Sequence, residues 1–363
     1  MRLKRLSVTN PIYDIVFTDC FDNMGEFGKL GISTSKAMAV FDSNTERFWK
    51  SEVMDELSKI YDEVCSFTFP AGEQSKNLDT VEDLYEALIK NHFERKDVLI
   101  AVGGGVCGDM TGFVAATYLR GVKFFQVPTT LLAMCDSSVG GKTGVDFRSY
   151  KNMVGAFHHP SYVYMNMSTL KTLPDREFLS GMGEVIKYGY IREVSLLDYI
   201  CENAKKIKER DFESLTYIVE HSCRIKKEVV ENDPMEKGLR AILNYGHTIG
   251  HAIEKLMNFK LLHGECVALG MIAAMKISVD RGVIEVEELD RLKKINTLFG
   301  LPVSVSGISA EEILKVSKSD KKMSAGKIRF ILLNKVGDGY IDDSVTDEEL
   351  IKGINEVLNE QGN

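Results

Sequence analysis

Residues 97–112 read Asp-Val-Leu-Ile-Ala-Val-Gly-Gly-Gly-Val-Cys-Gly-Asp-Met-Thr-Gly, an apolar run followed by a glycine-rich segment. The apolar run predicts a strand of a buried parallel sheet. Gly103, Gly105 and Gly108 have the G-x-G-x-x-G spacing, which lets backbone N–H groups approach a pyrophosphate at the start of a helix. No acidic residue follows about twenty positions later to hold a ribose, so a tight strand-to-helix turn is a second interpretation. If a ribose contact exists, Asp42, at the end of another predicted strand, is the candidate.

Strands and helices alternate on both sides of this segment. Further strands are predicted at 37–41, 64–69, 124–127 and 162–165, and helices at 45–61 and 79–92. Asp79, followed three residues later by Glu82, is interpreted as the start of the second helix. The alternation is typical of an α/β, Rossmann-like nucleotide-binding domain.

The second half of the chain is predicted to be mainly α-helical. Apolar residues from Leu215 to Val229 follow three–four spacing, and 240–300 continues in the same manner. One exception is 327–341, where two apolar runs flank Asp338-Gly339, a predicted hairpin turn. We therefore predict an α/β domain over 1–172 and a helical domain over 173–363.

Composition argues against several classes of function. The 45 Lys and Arg against 53 Asp and Glu give a formal charge of −8 without a basic tract, so no nucleic-acid partner is expected. The most apolar segment, 266–275, is about half the length of a bilayer span and predicts a buried helix, so no membrane association is expected. Seven cysteines without close pairing, and an N-terminus without a signal-peptide core, predict a reduced, cytoplasmic protein.

A metal site is predicted in the second half. Residues 244–254 read Asn-Tyr-Gly-His-Thr-Ile-Gly-His-Ala-Ile-Glu, and a third histidine, His263, follows in Leu-Leu-His-Gly-Glu. His247 and His251 share one helix face, and together with Glu184 they offer ligands that suit a divalent metal such as zinc. Thr248 stands where HExxH has glutamate, so a metalloprotease is not indicated. Both helix histidines bind the metal, or one binds it while the other contacts substrate, or all are packing residues.

Basic side chains near these segments are candidate anion binders. Gly140-Gly-Lys142-Thr is not a P-loop, because the position of the first glycine is Asp136, but Lys142 remains a candidate. Lys187 lies three residues after Glu184, and the other polar candidates are Lys151 and Asn152 before a predicted strand, Lys226, Arg240 and Asn244 ahead of the histidines, and Asp320-Lys321-Lys322 in a late loop.

From Phe69 to Gly337 the chain resembles the 3-dehydroquinate synthase family of sugar phosphate cyclases. The resemblance is carried by motifs in the same order: Ala71-Gly-Glu-Gln-Ser-Lys76, Gly103–Asp109, Phe125–Leu132, Asp136–Gly144, Lys151–Phe157, Leu170–Pro174, Gly183–Gly189, Leu243–Glu254 and Leu262–Glu265. It implies a dehydroquinate synthase-like fold, an active site in the cleft between two domains, and a homodimer. It also implies a lyase of the shikimate pathway, and hence of aromatic amino acid biosynthesis. This lyase converts 3-deoxy-D-arabino-heptulosonate 7-phosphate to 3-dehydroquinate by transient oxidation, phosphate elimination, reduction, ring opening and aldol closure.

The resemblance implies a role for each matching residue. Glu184, His247 and His263 would hold a zinc or cobalt ion. The NAD site would be lined by Asp42, Glu73, Lys76, Gly104, Gly105, Val106, Cys107, Gly108, Asp109, Thr129, Thr130, Lys142, Lys151, Thr169, Leu170, Lys171 and Thr172. The substrate would be surrounded by Asp136, Lys142, Asn152, Lys187, Lys226, Arg240, Asn244 and His251, with Lys321 or Lys322. Arg120 would reach across the dimer to the substrate phosphate.

The chain departs from the family pattern at a few positions outside the predicted ligands. Tyr150, in Asp146-Phe-Arg-Ser-Tyr150, stands where a glycine often precedes the lysine, Lys227 where a small residue is common and Pro234 where an acid is common. These departures concern loop geometry.

Three alternative functions are considered. They are a sister cyclase such as 2-deoxy-scyllo-inosose synthase, a metal-dependent polyol dehydrogenase and a non-catalytic NAD-binding sensor. Asp109 and Gly140-Gly141 favour dehydroquinate synthase over the sister cyclases, which tend to lack both.

Overall fold

The computed structural model describes residues 3–26, 36–148, 150–236, 238–319 and 329–359. The chain forms two compact units. The first comprises Met1–Pro174 and Leu215–Met235, and the second comprises Asp175–Ser214 and Glu236–Asn363. Residues 215–235 therefore group with the first unit although they lie beyond the predicted boundary at 172/173.

The described residues form eleven strands and twelve helices. The strands are β1 Leu3–Thr9, β2 Ile12–Thr18, β3 Lys36–Asp42, β4 Glu63–Phe69, β5 Val98–Gly103, β6 Lys123–Pro128, β7 Lys142–Phe147, β8 Tyr150–Phe157, β9 Tyr162–Asn166, β10 Phe330–Lys335 and β11 Asp338–Asp342. The helices are α1 Ser43–Leu57, α2 Leu78–Lys90, α3 Gly105–Thr117, α4 Asp175–Ile191, α5 Val194–Glu202, α6 Ala204–Lys208, α7 Phe212–Asn232, α8 His247–Leu256, α9 His263–Asp280, α10 Val286–Leu298, α11 Ala310–Ser319 and α12 Asp347–Asn355.

A seven-stranded sheet forms the centre of the first unit. Its order is β1-β2-β9-β6-β5-β3-β4, and every pair is parallel except β1 with β2. The five predicted strands are β3, β4, β5, β6 and β9, so the α/β prediction is confirmed. Val53 and Leu57 of α1 pack on one face of the sheet, and Leu84 of α2 with Met110 of α3 on the other. Because both faces are covered, the central strands consist mainly of buried apolar residues, with Gln126 a buried polar exception in β6.

Two details of the predicted elements are wrong. Helix α2 is capped by Asn77, whose side-chain oxygen accepts a hydrogen bond from the Thr80 N–H at 2.9 Å, so Asp79 lies inside the first turn. In the second unit, β10 and β11 form the predicted hairpin, but Lys335 pairs with Asp338 and the turn is Val336-Gly337. Gly337 has a φ of +87°, which favours glycine at that turn.

The second unit is built around helix α9. Its segment 266–275 is buried, as predicted, and α4, α8, α10 and α12 pack against the helix. No helix among the described residues is both long and apolar enough to cross a membrane.

Arg281, just after α9, forms ion pairs with residues of two later elements, β11 and α12. Its Nε lies 2.6 Å from Glu349 Oε1 and its Nη1 lies 2.8 Å from Asp342 Oδ2. The hydrogen bond from Arg281 lowers the pKa of Glu349 from 4.5 to about 2. The ion pair therefore stabilises the folded chain above pH 4.5 and loses this effect as the pH falls toward 2.

We expect Arg281→Ala to lower the free energy of unfolding by about 1–2 kcal/mol at pH 7, because two partly solvated carboxylates lose their donor. The difference from the unsubstituted protein should shrink below pH 4.5, where Glu349 becomes protonated in the unfolded chain. Urea unfolding at pH 7 and at pH 4 measures both values. An equal difference at the two pH values would contradict the role of this ion pair.

Candidate functional site

Four ionisable side chains of the second unit meet around one buried carboxylate. Glu184 of α4 is fully buried, and its Oε1 lies 3.4 Å from His247 Nε2 and 3.3 Å from His263 Nε2. Lys187, one turn further along α4, contacts the other oxygen of Glu184. The nitrogen atoms that His247, His251 and His263 can offer to a metal lie within 4.8 Å of one another. The three predicted metal ligands are thus close together, with His251 beside them.

The two histidines that face Glu184 differ in their protonation. Nδ1 of His247 lies 3.1 Å from the Tyr245 carbonyl oxygen, which can only accept, so Nδ1 carries the proton and Nε2 has a free lone pair. Burial lowers the pKa of His247 well below its usual value, and the ring is neutral. Burial also opposes protonation of His263, but the neighbouring carboxylates of Glu184 and Glu254 raise the pKa of His263 to about 9. A buried carboxylate facing two imidazole nitrogens is stabilised by a cation, and the donor set suits a divalent metal.

Glycines allow helices α4 and α9 to approach closely enough to form this cluster. A Cβ atom on Gly183 would lie 2.4 Å from the Gly264 carbonyl oxygen, and one on Gly264 would lie 1.8 Å from the Ser180 carbonyl oxygen. Both distances are far below any van der Waals contact, so only glycine fits. Because Gly183 precedes Glu184 and Gly264 follows His263, this crossing places the two ligands beside each other.

Helix α8 meets α9 through a second set of glycines. A Cβ atom on Gly250 would lie 2.8 Å from the Cys266 carbonyl oxygen, and one on Gly270 would lie 1.8 Å from the Gly246 carbonyl oxygen. Gly246 has a φ of +79° and directly precedes His247, the first residue of α8. The ligand His247 is therefore fixed by the start of a helix that is in backbone contact with α9.

The glycine-rich turn of the first unit joins β5 to α3. The helix begins at Gly105, where a Cβ atom would lie 3.2 Å from Ser137 Oγ. Ser137 Oγ and Thr129 Oγ1 are buried and have no hydrogen-bond partner among the described residues. Unsatisfied hydroxyls beside a helix N-terminus fit a bound pyrophosphate. Gly108 permits close packing on β6, because a Cβ atom added at this position would lie 2.8 Å from Gln126 Oε1.

Ser137 was not predicted as a site residue. Its only signal in the sequence was its position directly after Asp136, and no residue pattern showed that this loop reaches the start of α3.

A lysine links several predicted cofactor residues in the first unit. Lys76 Nζ lies 2.6 Å from Asp109 Oδ2 and 2.5 Å from Asn152 Oδ1, so it joins α3 to β8. Burial opposes its charge, but Asp109 and then Glu73 outweigh this effect and raise the pKa of Lys76. Lys151 Nζ lies 3.7 Å from Glu73 Oε1. Four predicted NAD residues and the predicted substrate residue Asn152 therefore belong to one charged network.

Two other predicted residues of the first unit, Lys226 and Asp136, form an ion pair. Lys226 of α7 donates to Asp136 through both the carboxylate Oδ1, at 2.7 Å, and the backbone oxygen, at 2.6 Å. The side chain of Lys226 is only 7% exposed, so its ammonium group is held in one position. Lys142 begins strand β7.

The remaining predicted residues lie as follows. Asp42 caps α1 through Oδ1, while its Oδ2 lies 3.2 Å from the position of a Cβ on Gly103. Thr130 Oγ1 accepts a hydrogen bond from the Ala133 N–H. Thr169, Leu170 and Lys171 belong to the short 3₁₀ turn Met167–Lys171, and Thr172 directly follows it. Arg240, 2% exposed, and Asn244 lie in the 3₁₀ turn Leu239–Asn244 of the second unit, and Arg120 lies in an exposed turn after α3. Lys321 lies outside the described residues.

The first unit has a glycine-rich strand-to-helix turn that suits a pyrophosphate, and the second unit holds a buried Glu–His–His cluster that suits a divalent metal. This combination is expected of sugar phosphate cyclases and related dinucleotide-dependent enzymes. Over 97% of its length the chain superposes on 99% of a solved 2-deoxy-scyllo-inosose synthase complexed with carbaglucose-6-phosphate, NAD⁺ and Co²⁺ (TM-score 0.88, 25% identity). Models of the 3-dehydroquinate synthase N-terminal and C-terminal parts match residues 66–180 and 181–323. The chain belongs to the 3-dehydroquinate synthase family.

Whole-chain relatives support the same assignment. The 3-dehydroquinate synthase of Acetivibrio thermocellus is 45% identical over 350 residues, which is 96% of each chain. That of Ruminiclostridium cellulolyticum is 42% identical over 342 residues, 94% of this chain and 95% of the relative. The predicted family and fold are confirmed, and the residue-level roles stay predictions.

Proposed function

We propose that the chain converts 3-deoxy-D-arabino-heptulosonate 7-phosphate to 3-dehydroquinate and phosphate. The proposal is carried by the buried cluster of Glu184, His247 and His263 in a member of the 3-dehydroquinate synthase family. We place the reaction in the cytoplasm, and the seven free cysteines support a reducing compartment.

We propose NAD and a divalent metal, zinc or cobalt, as the cofactors. A metal bound here would supply Lewis acidity toward the C5 hydroxyl of the substrate, and NAD would supply a reversible hydride acceptor. Glu184, His247 and His263 would hold the metal. The start of α3, with the hydroxyls of Thr129 and Ser137, would hold the pyrophosphate of NAD.

The cationic side chains are proposed to bind the substrate phosphate and stabilise it as it leaves. Lys226 is held by Asp136, and Arg240 is almost fully buried, so neither group needs to be ordered when substrate binds. The substrate phosphate itself is the proposed acceptor of the C6 proton. The other proposed substrate contacts are Lys142, Asn152, Lys187, Asn244, His251 and Lys321.

The network around Lys76 leads to a prediction about NAD binding. Lys76→Met keeps the side-chain length but leaves Asp109 and Asn152 without their donor, so we expect NAD affinity to fall about 10- to 100-fold. Isothermal titration with NAD measures the change. Lys36→Met is the matched control, because Lys36 pairs with Glu63 at the opposite, N-terminal ends of β3 and β4. Equal NAD affinity in Lys76→Met and the parent protein would contradict the role.

We propose a homodimer in which Arg120 serves the partner's substrate. Leu119 and Arg120 have φ angles of +48° and +69°, a strained pair that the Arg95 Nε hydrogen bond to the Leu119 carbonyl oxygen, 2.9 Å, helps to hold. Such strain persists mainly at functional positions. The Arg120 side chain is exposed and has no ion-pair partner among the described residues. These observations support a role for Arg120 in binding.

Mixing two inactive variants tests this arrangement. Arg120→Ala should keep NAD and metal binding but lose turnover, and Glu184→Gln should lose turnover through the metal site. In a mixed dimer the Arg120→Ala subunit keeps its own Glu184 and receives Arg120 from its partner. Re-associated equimolar variants should therefore recover about a quarter of the parent activity. No recovery would contradict action across the dimer.

The reaction itself is tested by following phosphate and NADH together. Metal-loaded protein with NAD and 3-deoxy-D-arabino-heptulosonate 7-phosphate should release stoichiometric phosphate without net NADH, and a chelator should abolish the release. Phosphate release only with glucose 6-phosphate would indicate the sister cyclase. NADH accumulation with simple polyols would indicate a dehydrogenase, and NAD binding without any turnover would indicate a sensor.

A further inference from the structure

The candidate metal ligand His263 lies between two carboxylates. Its Nε2 is 3.3 Å from Glu184 Oε1, on the side of the other candidate ligands. Its Nδ1 is 3.8 Å from Glu254 Oε2 of helix α8. The side chain of Glu254 is 9% exposed, so this second carboxylate is buried as well.

The two ring nitrogens of His263 have different surroundings. Nε2 faces the cluster of Glu184, His247 and His251, whereas Nδ1 faces a carboxylate outside that cluster. His247 shows the same orientation, since its Nε2 faces Glu184 and its Nδ1 lies against the Tyr245 carbonyl oxygen. A histidine that binds a metal through one nitrogen carries its proton on the other, where an acceptor fixes the tautomer and the ring orientation.

The fold holds Glu254 in place for this contact. Its backbone carbonyl accepts the Phe259 N–H at 3.0 Å, which closes the end of α8. The same helix is fixed against α9 at Gly250, four residues earlier, where a Cβ would lie 2.8 Å from the Cys266 carbonyl oxygen. Glu254 and His263 therefore lie on two helices, α8 and α9, whose backbones are in direct contact.

We propose that Glu254 is a positioning residue that accepts the Nδ1–H of His263 and thereby directs Nε2 of His263 toward the metal. The inference rests on the metal site assigned above. The acceptor keeps His263 in the tautomer that leaves Nε2 unprotonated, and its negative charge makes the imidazole a stronger ligand.

Metal affinity measured with Co²⁺ alone tests the proposal without reference to turnover. Glu254→Leu keeps the bulk of the side chain and removes the acceptor, so Co²⁺ affinity should fall about 10- to 100-fold in competition with a chromophoric chelator. Glu254→Gln keeps an amide oxygen that can accept the Nδ1–H, and its affinity should lie clearly closer to that of the parent. The visible spectrum of bound Co²⁺ should change in Glu254→Leu more than in Glu254→Gln.

Glu349→Gln is the control, because this carboxylate of the same unit pairs with Arg281 and should change stability but not Co²⁺ affinity. Parent affinity in Glu254→Leu, or an equal loss in the Leu and Gln variants, would overturn the positioning role. If Glu254→Leu does not fold, Glu254→Asp withdraws the carboxylate by one methylene, and unchanged affinity and spectrum in that variant would overturn the role. Failure of the parent protein to bind one Co²⁺ would instead overturn the metal site itself.

Discussion

Glu184→Gln is expected to lower kcat/KM by at least about 1,000-fold, equivalent to about 4 kcal/mol, and to abolish stoichiometric metal binding. Glutamine has the same shape, so the change removes charge and leaves the helix packing intact. The lost carboxylate faces two imidazole nitrogens and Lys187, whose ammonium would stay buried beside a neutral amide. Without the carboxylate, the metal ion and the Lys187 ammonium would repel each other, and the buried environment screens this repulsion poorly.

Metal content after dialysis and steady-state phosphate release measure the two effects of Glu184→Gln. Glu177→Gln is the matched control, since Glu177 is an exposed carboxylate on the same helix α4 and should leave both values unchanged. A Glu184→Gln protein that keeps one tightly bound metal ion would exclude Glu184 as a ligand. In that case the three histidines would be the ligand set to test next.

Gly264→Ala is expected to destabilise the second unit by about 3 kcal/mol or more and to weaken metal binding at the same time. The added Cβ would lie 1.8 Å from the Ser180 carbonyl oxygen. The position of the Cβ is fixed by the backbone of α9, and the oxygen belongs to the backbone of α4, so no side-chain rotation can relieve the clash and α4 must separate from α9. Separation moves His263 away from Glu184, since each of them neighbours a glycine of this crossing.

Urea unfolding without metal and Co²⁺ titration measure the two effects of Gly264→Ala. Gly25→Ala provides the control, because a Cβ on Gly25 would meet nothing within 4 Å. Alanine restricts the unfolded chain more than glycine, so that control should be neutral or slightly stabilising. Parent-like stability in Gly264→Ala would show that the helices can part without cost.

Much of the first unit could be predicted because its central strands are buried on both faces. Strands β3 and β5 contain continuous apolar runs for that reason, and β6 is interrupted only by Gln126. The turn after β5 has a glycine pattern with a known purpose. Strands β1 and β2 were not predicted. In β1 apolar residues are interrupted by Lys4, Arg5 and Ser7, whose side chains remain partly solvated at the edge of the sheet.

The structure brings together Glu184, His247 and His263, the three predicted metal ligands, but the second carboxylate beside His263 was not predicted. The motifs identified Glu184, His247 and His263, because carboxylate and imidazole at those positions match a known family. Glu254 was missed, since an acidic residue three positions after His251 on a helix is usually solvated. Its burial depends on the approach of α8 to α9, which no local pattern encodes.

The hairpin turn was misplaced because Asp338-Gly339 is a common turn dipeptide, whereas the chain reverses at Gly337.

The candidate metal ligands are carried by three helices in backbone contact, and none of them lies on a loop that could open alone. The positions of these side chains therefore depend on how α9, the core of the second unit, packs against α4 and α8. Changes that loosen this packing should weaken metal binding and lower the stability of the unit together. A bound metal would add its binding free energy to the stability of this unit, so the lifetime of the protein at high temperature should lengthen as the supply of free metal rises.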